Sequence, residues 1–240
     1  MIPCIESGIP GFDALTISKE SSGGIFDHTT TLVYGPPKTG KTIFCNQFAY
    51  HGLLNGEPCL YVTADQGIKQ LQNNMMSFEW YIQKYIENET LYIIDGISQL
   101  GGLKIEETNN FKSTTVGNPA DMMVKVGIGS RFVYRKSSHF RSVLDSVNTL
   151  FAFNQQQLVI RVLNAYIRRI SEAGGAGMMT FTEGVTDPAT EKQLLSLFDN
   201  SIRLDGEHIT VKSQLGDEDN FNVFKSIYSI SDKGIVIDEI

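Results

Sequence analysis

The sequence predicts an α/β fold: a mostly parallel central sheet flanked by helices, with an antiparallel extension at the C-terminal end. Three observations carry that expectation. Short apolar, β-branched runs alternate with segments of helical periodicity through most of the chain. A glycine-bounded loop joins one such run directly to a helix. The tail then gives a succession of strand-like runs with no helix between them. At 240 residues the chain suits one such domain, expected to span 1–240, and it shows no internal repeat.

The elements follow in order. Residues 7–15 read as a turn into a short helix, and 21–24 as a flexible link. Residues 29–34 are β-branched and apolar, a buried strand, and 42–50 a helix that Asn55-Gly56-Glu57-Pro58 breaks. Residues 59–63 are the second strand. Leu71, Met75, Phe78, Ile82 and Ile86 recur at helical spacing and predict one helical region over 68–87. Residues 91–95 form a third strand, apolar throughout as buried parallel strands are. Residues 97–117, rich in Gly, Ser, Thr and Asn, read as a surface loop.

Asn118-Pro119-Ala120-Asp121 carries a helix-start signature: a capping Asn, Pro in the first position and an acid in the first turn. That helix runs towards Lys136, weakened by Gly127 and Gly129. Residues 140–145 are the fourth strand. The clearest helix covers 155–173, where Leu158, Val159, Val162, Leu163, Tyr166, Ile167 and Ile170 fall three to four apart and Gly174-Gly175 ends it. A fifth strand over 178–181, a helix near 189–198 and strand-like runs at 201–204, 208–212, 223–230 and 235–237 complete the chain.

Composition narrows the function. A net charge of −7 argues against a surface that coats polyanions, since such surfaces are basic at least regionally. Cys4, Cys45 and Cys59 have no C-x-x-C spacing, and the last two read as small buried hydrophobes. His28, His51, His139 and His208 are far apart and show no ligand pattern, which argues against a zinc site. No N-terminal signal and no apolar run of membrane-spanning length is present, so the expectation is a soluble, cytoplasmic protein without membrane insertion.

The chemistry lies in Gly35-Pro36-Pro37-Lys38-Thr39-Gly40-Lys41-Thr42, which satisfies G-x-x-x-x-G-K-[ST] between a strand and a helix. Glycines let successive amides point at an anion, and the helix N-terminus adds partial positive charge. The whole loop and Ile43 after it are therefore the expected nucleotide contacts. Lys41 would reach the β- and γ-phosphates and the Thr42 hydroxyl would ligate Mg²⁺. A second metal-holding carboxylate belongs at the end of a neighbouring strand. Asp145 and Asp95 both end apolar strands, and the pattern leaves both open. Asp65 follows the strand expected beside the loop's own strand. It suits a base for the attacking water, or an N-cap for the helix starting near Ile68.

Taken together these motifs resemble the single-domain KaiC-like ATPases, paralogues of the archaeal RadA recombinase within the RecA superfamily. The similarity covers nearly the full length. It rests on Ser7-Gly8-Ile9-Pro10-Gly11-Phe12-Asp13, on residues 52–63, on the loop, on Leu144-Asp145-Ser146-Val147, on Asn200-Ser201-Ile202-Arg203-Leu204 and on Lys233-Gly234-Ile235-Val236-Ile237. The resemblance implies binding of ATP with Mg²⁺ and selects Asp145 as the metal carboxylate. It also implies assembly into a homo-oligomer, ring or filament, or docking on a protein partner.

Three departures from the family pattern bear on turnover. Where the family carries two glutamates this chain has Asp65 and Gln66; an oxygen about 1 Å short costs about 10²-fold in rate. Glu183 places a carboxylate next to where the γ-phosphate should lie, unfavourable like charge unless it is protonated, metal-paired or turned away. The family's C-terminal Lys-x-Arg pair falls at Lys212 and Gln214, which removes an arginine worth ~10³–10⁵ in turnover. The expectation is an ATP·Mg²⁺-binding protein with slow hydrolysis and a regulatory or assembly role; the alternative is a nucleotide-dependent switch with little turnover. The loop after Thr182 is short, acidic and free of Lys and Arg, which argues against DNA strand exchange, and Arg131, Arg135, Lys136 and Arg141 read as a solvated helix end or subunit contact.

Overall fold

The short apolar runs form one large sheet because successive residues of each strand enter opposite layers. The computed structural model describes residues 3–19, 21–102, 106–214 and 221–238, the side chains of Gln214 and Phe221 excepted. In chain order the elements are β1 (Cys4–Ile5), α1 (Phe12–Leu15), β2 (Ile25–Phe26), β3 (Thr30–Gly35), α2 (Lys41–Leu54), β4 (Cys59–Thr63), α3 (Ile68–Met76), α4 (Gln83–Glu87), β5 (Leu91–Asp95) and β6 (Phe111–Ser113). There follow α5 (Pro119–Tyr134), β7 (Phe140–Asp145), α6 (Val147–Phe153), α7 (Gln156–Glu172), β8 (Gly175–Thr182), α8 (Pro188–Leu195), β9 (Asn200–Leu204), β10 (His208–Gln214), β11 (Phe221–Ser231) and β12 (Gly234–Ile237).

The large sheet has the order β12-β11-β10-β9-β3-β8-β7-β4-β5-β6. From β9 to β6 every neighbour pair is parallel. β10, β11 and β12 extend it as antiparallel strands. The layers can be read residue by residue. On β4, Cys59 and Tyr61 join the core that includes Phe44 and Phe48 of α2, while Leu60 and Val62 join the one that includes Val126 of α5 and Leu163 of α7. Burying each such side chain contributes about 1.5–3 kcal/mol, so a one-residue slip of a central strand would be prohibitive.

Several elements differ from expectation, each for a local reason. The helical region 68–87 is two helices: the chain turns between them, with Glu79 in the left-handed region (φ 62), and Trp80 packs at 4.8 Å on Phe78 and 6.1 Å on Tyr50. The loop 97–117 contains β6, an edge strand whose Phe111 is buried opposite Ile93. The link at 21–24 is structured, since the Gly24 amide donates to Thr16 Oγ1 at 2.8 Å and β2 pairs with β1 in a small second sheet. Gly127 and Gly129 do not break α5; a Cβ at Gly129 would lie 2.8 Å from Leu60 and Tyr92, so the glycine lets the helix press onto the sheet. The helix α6 was not expected at all.

Two long-range corrections matter more. β4 is not beside β3: β8 and β7 lie between them, because both insert after it in sequence. His28 and His139, far apart in sequence, meet in space with ring centroids 5.4 Å apart. Cys45 and Cys59 are buried as expected. Among the described residues no helix is long and apolar enough to cross a membrane.

Candidate functional site

The glycine loop is shaped by backbone conformation. Gly40, the residue before α2, sits in the left-handed region (φ 92), and Lys38 shares that region (φ 63). The helix has no side-chain cap and no acid in its first turn. Its leading amides are thus left for an anion, with the helix dipole behind them. The loop lines a cleft of ≈ 340 Å³ together with Thr182 and Ile230. Next to it lies a second cleft of ≈ 430 Å³ that includes Asn46, Asp65, Gln66, Gln70 and Asp145; Thr42 and Ile43 line both.

Lys41 is buried, and its Nζ donates to the carbonyls of Gly35 at 3.1 Å and Pro36 at 2.5 Å. Burial pulls its pKa down, opposed by the carboxylates of Glu183 and Asp145. Thr42 Oγ1 donates to Asp145 Oδ1 at 3.2 Å, and Thr180 Oγ1 donates to the same oxygen at 2.5 Å. Asp145 is 2 % exposed. Burial raises its carboxyl to about 6, with the Thr180 hydroxyl working against the rise and the charge of Asp65 adding to it. Thr42 and Asp145 thus put two oxygens where a hard divalent cation can be held, directly or through its waters.

Asp95 has a different task. One of its oxygens accepts the amides of Ile97 (3.0 Å) and Ser98 (2.8 Å), and the other accepts the Ile68 amide (2.9 Å) and the Ser98 hydroxyl (2.6 Å). It ties α3 and the loop after β5 to the sheet. The ambiguity left by strand pattern is resolved by neighbours: Asp145 lies against Thr42, and Asp95 lies two strands further out.

Asp65 is exposed at the end of β4, and Thr149 of α6 donates its hydroxyl to Oδ1. No side-chain cap joins it to α3, so its N-cap alternative is not realised. Gln66 accepts from Asn74 at 2.6 Å. Glu183 is neither turned to solvent nor left beside Lys41 unpaired. Arg203 of β9 grips it with Nε–Oε1 at 2.7 Å and Nη2–Oε2 at 3.2 Å, a bidentate pair that offsets the expected like charge.

Sequence reasoning missed Arg203, Thr180, Thr149, Asn148 and Tyr228. Asn148 holds both ends of the Thr182 peptide, accepting its amide at 2.8 Å and donating to its carbonyl at 3.2 Å. Tyr228 of β11 donates to the Thr39 carbonyl at 2.7 Å and accepts the Gly206 amide at 3.0 Å, bracing the loop from the antiparallel extension. The one polar residue in the apolar run 178–181 of β8 is a usable signal for Thr180. No local pattern marks Tyr228, and the motif that contains Arg203 does not reveal its pairing with Glu183.

Among the described residues the expected basic cluster comes apart: Arg131 lines a cleft of ≈ 530 Å³ with Arg168, Arg169 and Glu172. Arg141 is fully buried in β7, paired with Glu57 at 2.7 Å and bonded to the Phe48 and Glu6 carbonyls, so it leaves the expected cluster. Lys136 lies 3.8 Å from Glu89. Lys212 is exposed on β10, and the Gln214 side chain lies outside the described residues.

A family model described as "ATPase: KaiC" matches residues 5–216. A UPF0273 protein of Thermotoga maritima is 29% identical over 250 residues, covering 99% of this chain and 96% of its own. The circadian clock oscillator protein KaiC of Prochlorococcus marinus is 31% identical over 187 residues, covering 76% of this chain and 33% of that one. Among solved structures, a KaiC-like protein of Pyrococcus horikoshii superposes with a TM-score of 0.72 over 100% of both chains at 24% identity, a likeness of fold.

Proposed function

From the premise that this chain belongs to the KaiC family of ATPases, a RecA-superfamily group of nucleotide-binding proteins, we propose that it binds ATP with Mg²⁺ and hydrolyses it slowly. The observation that carries this is the convergence, on one sheet edge, of an uncapped helix start, Lys41 and the Thr42–Asp145 pair. The loop 35–42 and Ile43 would take the phosphates, their amides serving as donors. Lys41 would exchange its carbonyl partners for phosphate oxygens. Thr42 and Asp145 would hold Mg²⁺, which neutralises charge developing on the phosphates. Asp65 would accept the proton of the attacking water.

The surroundings of Asp65 support the slow-turnover reading. The Asp65 carboxylate is exposed and already engaged by Thr149, so it is neither sequestered from water nor free to take up a proton without giving up that partner. We infer a regulatory or assembly role for the whole chain as one unit, in a homo-oligomer or on a protein partner. The nucleotide-switch alternative draws on a separate observation: Tyr228 and Gln47 link the loop and α2 to β11 and β12, a route by which occupancy could move the antiparallel strands.

The test is phosphate release by purified protein, with Lys41→Ala as the blank. Release above the blank that Asp65→Asn abolishes, with nucleotide binding retained, supports the enzyme. Binding without release above the blank supports the switch. Release unchanged in Asp65→Asn assigns the base elsewhere. Size measurement with and without ATP·Mg²⁺ tests assembly.

A further inference from the structure

The edge of the sheet opposite the nucleotide cleft brings together three side chains that phosphate chemistry does not use. Asp27 and His28 lie in the turn before β3, and His139 directly precedes β7. β8 runs between those two strands, and the residue before it is Gly174 (φ 83). A Cβ there would come within 2.4 Å of the Ser138 carbonyl and 3.6 Å of His28 Cε1. The glycine therefore lets the two turns close over the start of β8, and the imidazoles meet edge to face, their planes at 68°.

Between them sits the Asp27 carboxylate, its side chain only 9 % exposed while the rings are 50 % and 56 % exposed. Asp27 Oδ1 accepts the His28 amide at 3.0 Å. Oδ2 is directed at the rings, 2.9 Å from His139 Nδ1 and 3.5 Å from His28 Nε2.

We propose that Asp27, His28 and His139 form a binding site for a divalent transition metal ion of the zinc class. Two imidazoles and a carboxylate are the donors that zinc, cobalt and nickel favour, whereas magnesium prefers oxygen alone. The spacing fits as well. A tetrahedral ion with bonds of about 2.0–2.1 Å sets its ligand atoms about 3.3 Å apart. The two carboxylate–imidazole separations, 2.9 and 3.5 Å, straddle that value, and one atom from each residue lies within 4.8 Å of the others. The half-exposed rings leave a fourth position to solvent. The metal sits a full strand from the glycine loop, about 20 Å for the six residues of β3, so it acts as a clip across the turns before β3 and β7.

The test uses the full chain, stripped with chelator and free of nucleotide, titrated with zinc chloride by calorimetry and with cobalt(II) by visible absorption. One equivalent is expected, with a tetrahedral cobalt spectrum and a rise in thermal midpoint on adding zinc. His28→Ala and His139→Ala should each weaken zinc by at least about tenfold and cancel the thermal rise. Both side chains are half exposed, so both variants should keep the parent's ATP affinity; if an alanine variant does not, His139→Gln replaces it. No zinc uptake by the parent overturns the proposal. Uptake that persists in both histidine variants and disappears in Asp145→Asn also overturns it, by assigning the ion to the nucleotide cleft.

Discussion

Asp95 and Asp145 end parallel strands of near-identical character, and both are buried. Yet they live in opposite environments. Asp95 is solvated by the protein itself: three amides and a hydroxyl converge on its two oxygens. Asp145 receives two threonine hydroxyls on one oxygen, and burial lifts its carboxyl to about 6. The first is a completed structural joint. The second is a carboxylate whose solvation is left for something else to finish. The difference teaches that burial alone does not mark a functional acid; the marker is burial without enough donors.

The sharpest way to break this contrast is Asp95→Ala. It strands three backbone amides and the Ser98 hydroxyl, and should cost about 3–5 kcal/mol in urea unfolding. A loss below about 1 kcal/mol would mean that Asp95 is not the joint described.

Asp145→Asn should do the reverse. The carboxyl holds its proton more tightly folded than unfolded, so the wild type loses stability as pH rises from the ordinary carboxylate range through about 6. Above that pH the full cost of the buried charge is present. The nucleotide-free variant should therefore be more stable than its parent by about 2 kcal/mol at pH 8, with the gain vanishing near pH 4. Phosphate release should meanwhile fall to the Lys41→Ala level. Equal stability at both pH values would remove the argument that Asp145 is under-solvated.

Thr180→Val is the smallest change. It deletes a hydroxyl that stabilises the charged form of Asp145, and should destabilise the neutral-pH protein by about 1–2 kcal/mol while moving the pH window upward. A shift in the other direction would show that Thr180 acts through packing.

Much of this was legible along the chain. The order of strands and helices, the glycine loop and the two candidate acids follow from local pattern, because a buried strand, a helix start and a phosphate-binding loop are each specified within about ten residues. The Pro119 helix start is an example: Asn118 does cap it, accepting from the Asp121 amide at 3.1 Å. What stayed hidden involves partners far apart in sequence. Arg203 neutralising Glu183, Tyr228 holding the Thr39 carbonyl and Thr149 engaging Asp65 all come from elements that only the sheet order brings together.

By itself, then, the sequence determined the α/β class, the glycine loop between β3 and α2 and a short list of carboxylates, since these depend on near neighbours and hydrophobic period. Between Asp95 and Asp145 local pattern was silent and family resemblance chose; tertiary structure alone decided how Glu183 is paired, and that two histidines separated by most of the parallel core share one aspartate. The physical reason is strand order. Inserting β8 and β7 between β3 and β4 sets which strand ends are adjacent, and no local pattern encodes that insertion.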